Sequence, residues 1–305
     1  SSDLKPGKDG EYEFSNANAM WGLAGFTPKK EMQEVSRKFF AGGFKQLMMH
    51  PEQARQYINS WVSSNTNNLI NDLLPEGSIT PQTVMVVTNA VYFKGQWSLP
   101  FNEKQTDDRA FTLASGKEIK TPMMMNNDAK FQLLEAQGYK AISLPYEGDA
   151  LSMVVILPEG VAGLPALEKQ LIAEDGLADA LNQLDYAEAK TVRLMLPKFK
   201  LEWKAKLGKA MQQLGMKLAF SDEADFSGIA ENPRKKIMID GVYHKAYVEV
   251  DEQGTEAAAA TGGTVRATSV IIDVPTFHAD RPFMFLIRHN ETGAILFIGR
   301  LVDPR

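Results

Sequence analysis

The sequence predicts an α+β protein, and three patterns carry that expectation. Residues 83–93 (TVMVVTNAVYF) are apolar at both parities, as a strand covered on two faces reads. Residues 237–250 alternate, the period of a strand with one buried face. Met32, Val35, Ser36 and Phe39, and then Ala54, Tyr57, Ile58, Trp61 and Val62, recur at helical spacing. No internal repeat and no Pro/Ser linker interrupts the chain, so antiparallel strands and interspersed helices are expected to build a single body over residues 1–305.

The elements follow in order. A strand is expected over residues 12–21. Thr27 then offers an N-cap with Pro28 at the first helical position, and Gly42 and Gly43 end that helix. Pro51 opens the second helix. The run 83–93 is placed at the centre of a sheet. Residues 142–144 and 151–157 read as a hairpin closed by Glu147, Gly148 and Asp149. Residues 164–184 are predicted helical, 192–196 a strand and 207–214 a helix. In 237–250 the side bearing Val242, His244, Ala246, Val248 and Val250 is expected to face the interior. Residues 283–288 and 294–301 form a closing strand pair around Asn290, Glu291, Thr292 and Gly293.

Composition narrows the function classes. At 44% hydrophobic and 23% charged residues, 305 residues can bury a sizeable core, which excludes disorder and low complexity. Lys and Arg number 33 against 38 Asp and Glu, a net charge of −5, and the one basic cluster is Arg234, Lys235 and Lys236. Nucleic acid is therefore not an expected partner. With no cysteine, disulfides, thiolate catalysis and cysteine-held metals are out. His50, His244, His278 and His289 show no HExxH spacing, so no metal and no cofactor is expected. Apolar runs such as residues 153–157 are far shorter than a membrane span, and the chain opens on Ser1, Ser2 and Asp3 without a signal-like leader, so any export signal is expected to have been removed or never to have existed. GxSxG, GxxxxGK[ST] and GxGxxG are all missing, which argues against an enzyme; a dispersed triad using His244 is the enzyme alternative.

One segment fits neither core nor ordinary loop: VEVDEQGTEAAAATGGTVRATSVIIDVPTFHADRPF, from Val248. A short helix capped by Thr255 is one reading, since alanine favours helices. The four alanines span only about one turn and two glycines follow, too little for a stable helix alone. The other reading is a strand held in reserve. Small, uncharged, proline-free residues can slide between packed strands while adding ladder hydrogen bonds and little volume.

The chain resembles the serpin family on six ordered motifs: NAVYFKGQW (89–97), LPKF (196–199), ADFSG (224–228), HKAYVEVDEQGTEAAAAT (244–261), DRPF (280–283) and FIGRLVDP (297–304). The resemblance implies the serpin fold, large mixed or antiparallel sheets with surrounding helices and a mobile reactive-centre loop, here within residues 252–275. It implies an irreversible inhibitor of serine proteases, with cysteine proteases as a second class. A protease cleaves the loop, and the acylated loop inserts into the main sheet before deacylation. On family grounds the location is extracellular or periplasmic. The rival within the family is a non-inhibitory carrier, chaperone or storage protein; the small residues of 255–261 favour inhibition.

Carried over residue by residue, Gly254, Thr255, Glu256, Ala257, Ala258, Ala259, Ala260 and Thr261 match the hinge that enters first. Lys198 and Glu252 match the ion pair at the top of the sheet, Trp97 the aromatic packed there, and Asn89 with His244 the polar pair that parts as the sheet opens. Without the resemblance, His244 reads as a satisfied core histidine. Counting forward from Gly254 puts the reactive bond at Thr268–Ser269; counting back from Pro275 and Arg281 puts it at Ile271–Ile272. Arg266–Ala267 is a third candidate, suited to a trypsin-like enzyme, whereas Thr268, the preferred one, suits an elastase-like or subtilisin-like enzyme. Two departures stand out. The family's N-terminal helices precede the segment matching residues 16–21 and have no counterpart here, so a separate N-terminal fragment, or its loss by proteolysis or truncation, is expected. Gly262 and Gly263 lie in the inserting stretch, where glycine weakens a strand.

Overall fold

A computed structural model describes residues 12–23, 26–39, 43–231, 237–255 and 274–305. In chain order the elements begin with β1 (Tyr12–Gly22), α1 (Lys30–Phe39), β2 (Phe44–Gln46), α2 (Pro51–Ser64) and β3 (Met85–Gln96). There follow β4 (Asp107–Thr112), β5 (Glu118–Asn126), β6 (Lys130–Ala136), β7 (Tyr139–Pro145), β8 (Leu151–Pro158), α3 (Leu164–Ile172) and α4 (Gly176–Asp185). The chain continues with β9 (Ala189–Thr191), β10 (Arg193–Pro197), β11 (Phe199–Lys206), α5 (Gly208–Gln213) and β12 (Gly241–Val250). It closes with β13 (Gly254–Thr255), β14 (Thr276–His278), β15 (Phe283–His289) and β16 (Ile295–Leu301). Three sheets result: β11-β12-β3-β1-β2, with β13 also on β3; β14-β10-β5-β4; and β16-β15-β8-β7-β6-β9. The mixed sheets and interspersed helices agree with the α+β class read from the sequence.

The described chain falls into two compact units. The first holds Glu13–Phe93 and Leu201–Val248, the second Lys94–Lys200 and Glu249–Arg305. In the first unit, Ala17, Ala19 and Trp21 of β1, Val86, Ala90 and Tyr92 of β3, and Tyr243 and Tyr247 of β12 pack against Ala54, Ile58 and Val62 of α2. The α2 stripe thus reads as its sequence spacing indicated, although Tyr57 is largely exposed. Side chains alternate across a strand, so the opposite face carries Asn16, Asn18, Val87, Asn89, His244 and Ala246, all half-buried, and Trp203 at 54% exposure. In the second unit, the β7–β8 hairpin and β15 pack on α3 and α4 through Ala141, Val154, Ile156, Leu167, Leu184 and Leu286.

Three expectations need correction. Helix α1 starts at Lys30, not at Pro28, because Pro28 forms a β-bridge with Ala230 and so cannot take the first helical position. Residues 164–184 are two helices: Glu174 and Asp175 adopt φ of 44° and 62°, and the Gly176 Cα lies so close to the Gln170 carbonyl that any Cβ would collide. In the middle of β12 the buried parity is the one bearing Tyr243, Lys245 and Tyr247, while His244 and Ala246 are half-buried. Lys245 is buried because its ammonium donates to the Asn71 carbonyl at 2.7 Å and pairs with Glu202 at 2.5 Å, its stem lying along the core.

Candidate functional site

In the first unit β12 lies directly against β3, parallel and in register from Gly241↔Val86 to Tyr247↔Tyr92. Continuous β propensity on both strands allows this pairing, but one cross-strand pair is polar. His244 sits opposite Asn89, its Nδ1 on the Asn89 Oδ1, while the Asn89 amide donates to Asn18 Oδ1 and, at 3.1 Å, to Asn16 Oδ1. With the Asn89 amide nitrogen used as donor, its oxygen is the acceptor, so the network assigns the proton to Nδ1 of His244. Burial holds His244 below the usual histidine range, keeping it neutral at pH 7. The Trp203 ring lies 5.5 Å from the imidazole. Asn89 and His244, expected as partners, are brought together; the dispersed-triad alternative finds His244 bonded to an amide and facing an indole.

In the second unit the chain leaves β12 and reverses through Asp251, Glu252, Gln253 and Gly254 into β13, which pairs antiparallel with β3 as Gly254↔Gln96 and Thr255↔Gly95. Gly254 has φ 154°, and a Cβ there would strike the Gly95 carbonyl and the Gln96 Cα, so two glycine backbones meet where no side chain fits. Thr255 is fully buried, its hydroxyl 2.9 Å from that of Tyr146. Burial pushes the Tyr146 phenol up, with the Thr255 hydrogen bond opposing, so it stays protonated. The Tyr146 ring stacks on Trp97 with centroids 4.6 Å apart, and Trp97 packs edge-on to Phe101.

The reversal is held on all sides. The Trp97 indole N–H donates to the Asp251 carbonyl at 3.0 Å, the Trp97 amide to the Gln253 carbonyl at 2.8 Å, and the Phe101 amide to the Glu252 carbonyl at 2.8 Å. The Glu252 carboxylate accepts from Lys198 Nζ at 2.7 Å and from Thr106 Oγ1 at 2.8 Å. Burial alone would raise this carboxyl, but those two donors outweigh it and hold it below the usual range. Lys198 and Glu252 thus pair as expected, and Trp97 occupies the aromatic position. Of the expected hinge, Gly254 and Thr255 are seen on β3; Glu256 to Thr261, and the candidate bonds at Arg266–Ala267, Thr268–Ser269 and Ile271–Ile272, lie outside the described residues. Sequence reading missed Tyr146, Thr106, Gly95 and Asp251. Only Asp251 left a local signal, an acidic residue three before a glycine, which suits a turn.

Comparison with known proteins converges with this geometry. The family model described as Serpin (serine protease inhibitor) matches residues 2–304. Human Serpin B3 is 37% identical over 297 residues, covering 96% of this chain and 75% of its own length. An uncharacterized serpin-like protein of Methanosarcina mazei is 37% identical over 301 residues, covering 97% of this chain and 68% of its own. Among solved structures, uncleaved ovalbumin superposes with a TM-score of 0.84 at 30% identity, over 98% of this chain and 76% of its own. With motifs, topology and relatives in agreement over nearly its whole length, this chain belongs to the serpin family.

Proposed function

We propose that the protein is an irreversible, conformational-trap inhibitor of serine proteases, with cysteine proteases as a second target class. The observation that carries the reading is the double use of β3: Gly254 and Thr255 start an antiparallel ladder at Gln96 and Gly95, while from Tyr92 to Val86 the same strand is paired in parallel with β12. Continuing the ladder requires β12 and β3 to part. Extended in the register set by Gly254 and Thr255, Ala257 would fall opposite Phe93, Ala259 opposite Val91 and Thr261 opposite Asn89. Small side chains would therefore enter on the parity of Asn89 and His244, and Gly262 and Gly263 would fall opposite Thr88 and Val87, near the start of β3. Insertion adds on the order of ten backbone hydrogen bonds at about 1 kcal/mol net each. That is comparable with an entire stability margin of about 5–15 kcal/mol, so the uncleaved form is a kinetic trap.

At the reactive bond, the protease serine Oγ attacks the carbonyl carbon of Thr268, the bond to Ser269 breaks, and Ser269 takes the proton as a new amino terminus. The acyl ester then travels with the inserting strand before water can hydrolyse it. Thr268 favours elastase-like or subtilisin-like targets, and cleavage at Arg266 would favour trypsin-like ones.

The test is incubation of the intact protein with trypsin-like, elastase-like, chymotrypsin-like and subtilisin-like proteases. The expected result is a denaturation-resistant covalent adduct with at least one of them, with the released C-terminal peptide identifying the bond. Thr255→Arg, which forces a charge into the fully buried site beside Tyr146, should abolish the adduct while the loop is still cut. Cleavage of the unaltered protein without adduct by every protease would make it a non-inhibitory serpin.

A further inference from the structure

The reversal between β12 and β13 is closed in an unusual way. A two-residue hairpin ordinarily closes by two main-chain bonds between its flanking residues, here Asp251 and Gly254. One is present: the Asp251 amide donates to the Gly254 carbonyl at 2.8 Å. In place of the other, the Gly254 amide donates to the Asp251 side-chain Oδ1 at 3.1 Å, and the Gln253 amide donates to the same oxygen at 2.9 Å. The Asp251 carbonyl, thus released, accepts the Trp97 indole. One side chain substitutes for the main chain and couples the turn to the aromatic stack.

We propose that Asp251 is a positioning residue, whose side-chain oxygen sets the reversal that aligns Gly254 and Thr255 on β3. The inference deepens the inhibitor reading and rests on it only for its consequence, which is the register of insertion. The role needs an acceptor, not a charge. Burial pushes the Asp251 carboxyl up, against the lowering influence of the two amides and Lys198 and with a further push from Glu252; Glu103, Lys200 and Glu249 line the same cleft. The sign follows from the raised value: the closed turn binds a proton more tightly than a solvated one, so it is firmest in acid and loosens as pH rises through the raised value.

The experiment compares unaltered protein, Asp251→Ala and Asp251→Asn by hydrogen exchange at the Gln253 and Gly254 amides between pH 4 and 7, normalised to intrinsic rates, with no protease present. Asp251→Ala should accelerate both amides about ten- to a hundred-fold, as loss of two bonds to one acceptor implies. Asp251→Asn, which keeps the acceptor oxygen, should restore protection and remove the pH dependence shown by the unaltered protein. A second measurement takes the ratio of loop cut without trapping to protease trapped, which should rise about ten-fold in Asp251→Ala and return in Asp251→Asn. Unchanged exchange in the alanine variant, failure of asparagine to restore it, or faster exchange with an unchanged ratio would overturn the proposal. If the unaltered protein traps no protease, the inhibitor reading fails while the exchange measurement still decides the role of Asp251 in the turn.

Discussion

Along β3 two ladders are built on different terms. From Val86 to Tyr92 the partner is β12, parallel over seven pairs, and on the face away from α2 Val87, Asn89, His244 and Ala246 are half-buried, with His244 and Asn89 bonded side chain to side chain in the middle. At Gly95 and Gln96 the partner is β13, antiparallel over only two pairs, yet Thr255 is fully buried and the turn behind it is pinned by Trp97, Phe101, Glu252 and Asp251. Parallel pairing is slightly weaker per residue than antiparallel pairing. In the inhibitor mechanism proposed above, the longer ladder is the one that must open, and the shorter one is the nucleus from which its replacement would grow.

The strongest way to break this comparison is calorimetry of the nicked protein. If the antiparallel ladder extends after loop cleavage, an additional stabilisation on the order of 10 kcal/mol should raise the melting temperature by about 20 °C or more. Intact and nicked molecules that melt together would end the idea that one ladder replaces the other. Next in size is Gly254→Ala, where the new Cβ meets the Gly95 carbonyl and the two-residue ladder cannot form. Loop cleavage without trapping should increase about ten-fold, while the melting temperature of the uncut protein, which depends on the longer ladder and the cores, shifts by only about a few degrees. An adduct yield equal to that of the unaltered protein would show that the nucleus is dispensable.

The smallest effect sharpens the description of the parallel ladder. His244 has its value depressed by burial, so the folded protein resists protonating it. Its contribution is complete above the unfolded value near 6.5 and is lost as pH falls through that value toward the folded one. Stability measured by urea denaturation should therefore decline from pH 7 to 5.5, and less steeply in His244→Gln. Equal slopes would place the titrating group elsewhere.

How much of this was legible in the sequence depends on how local the signal is. The β7–β8 and β15–β16 pairs and the central strand β3 stand out because period and turn chemistry lie within a dozen residues. The face of β12 was read correctly at Val242, Val248 and Val250, which are buried, and misjudged only in the middle, where His244 and Ala246 are half-buried and Lys245 and two tyrosines, amphipathic residues, are buried on the other side. The α3–α4 break depends on Gly176 approaching Gln170, a contact that helical periodicity does not encode. Lys198 and Glu252 were found only through resemblance, since a pair 54 residues apart leaves no spacing signal. Tyr146 escaped for the same reason, its partner lying 109 residues away.

The finite extent of β3 has a mechanical consequence. A growing ladder that starts at Gln96 runs out of partners at Met85, opposite Val265, whatever the length of the loop beyond. If the loop inserts as proposed, the strand would act as a measuring rod and the chain left over would become a leash: one residue if the bond after Arg266 is cut, three for Thr268, six for Ile271. At about 3.5 Å per residue those leashes reach roughly 3.5, 10 and 20 Å. A captured enzyme on the shortest would be drawn hard against the sheet's end, and one on the longest would keep room to recover.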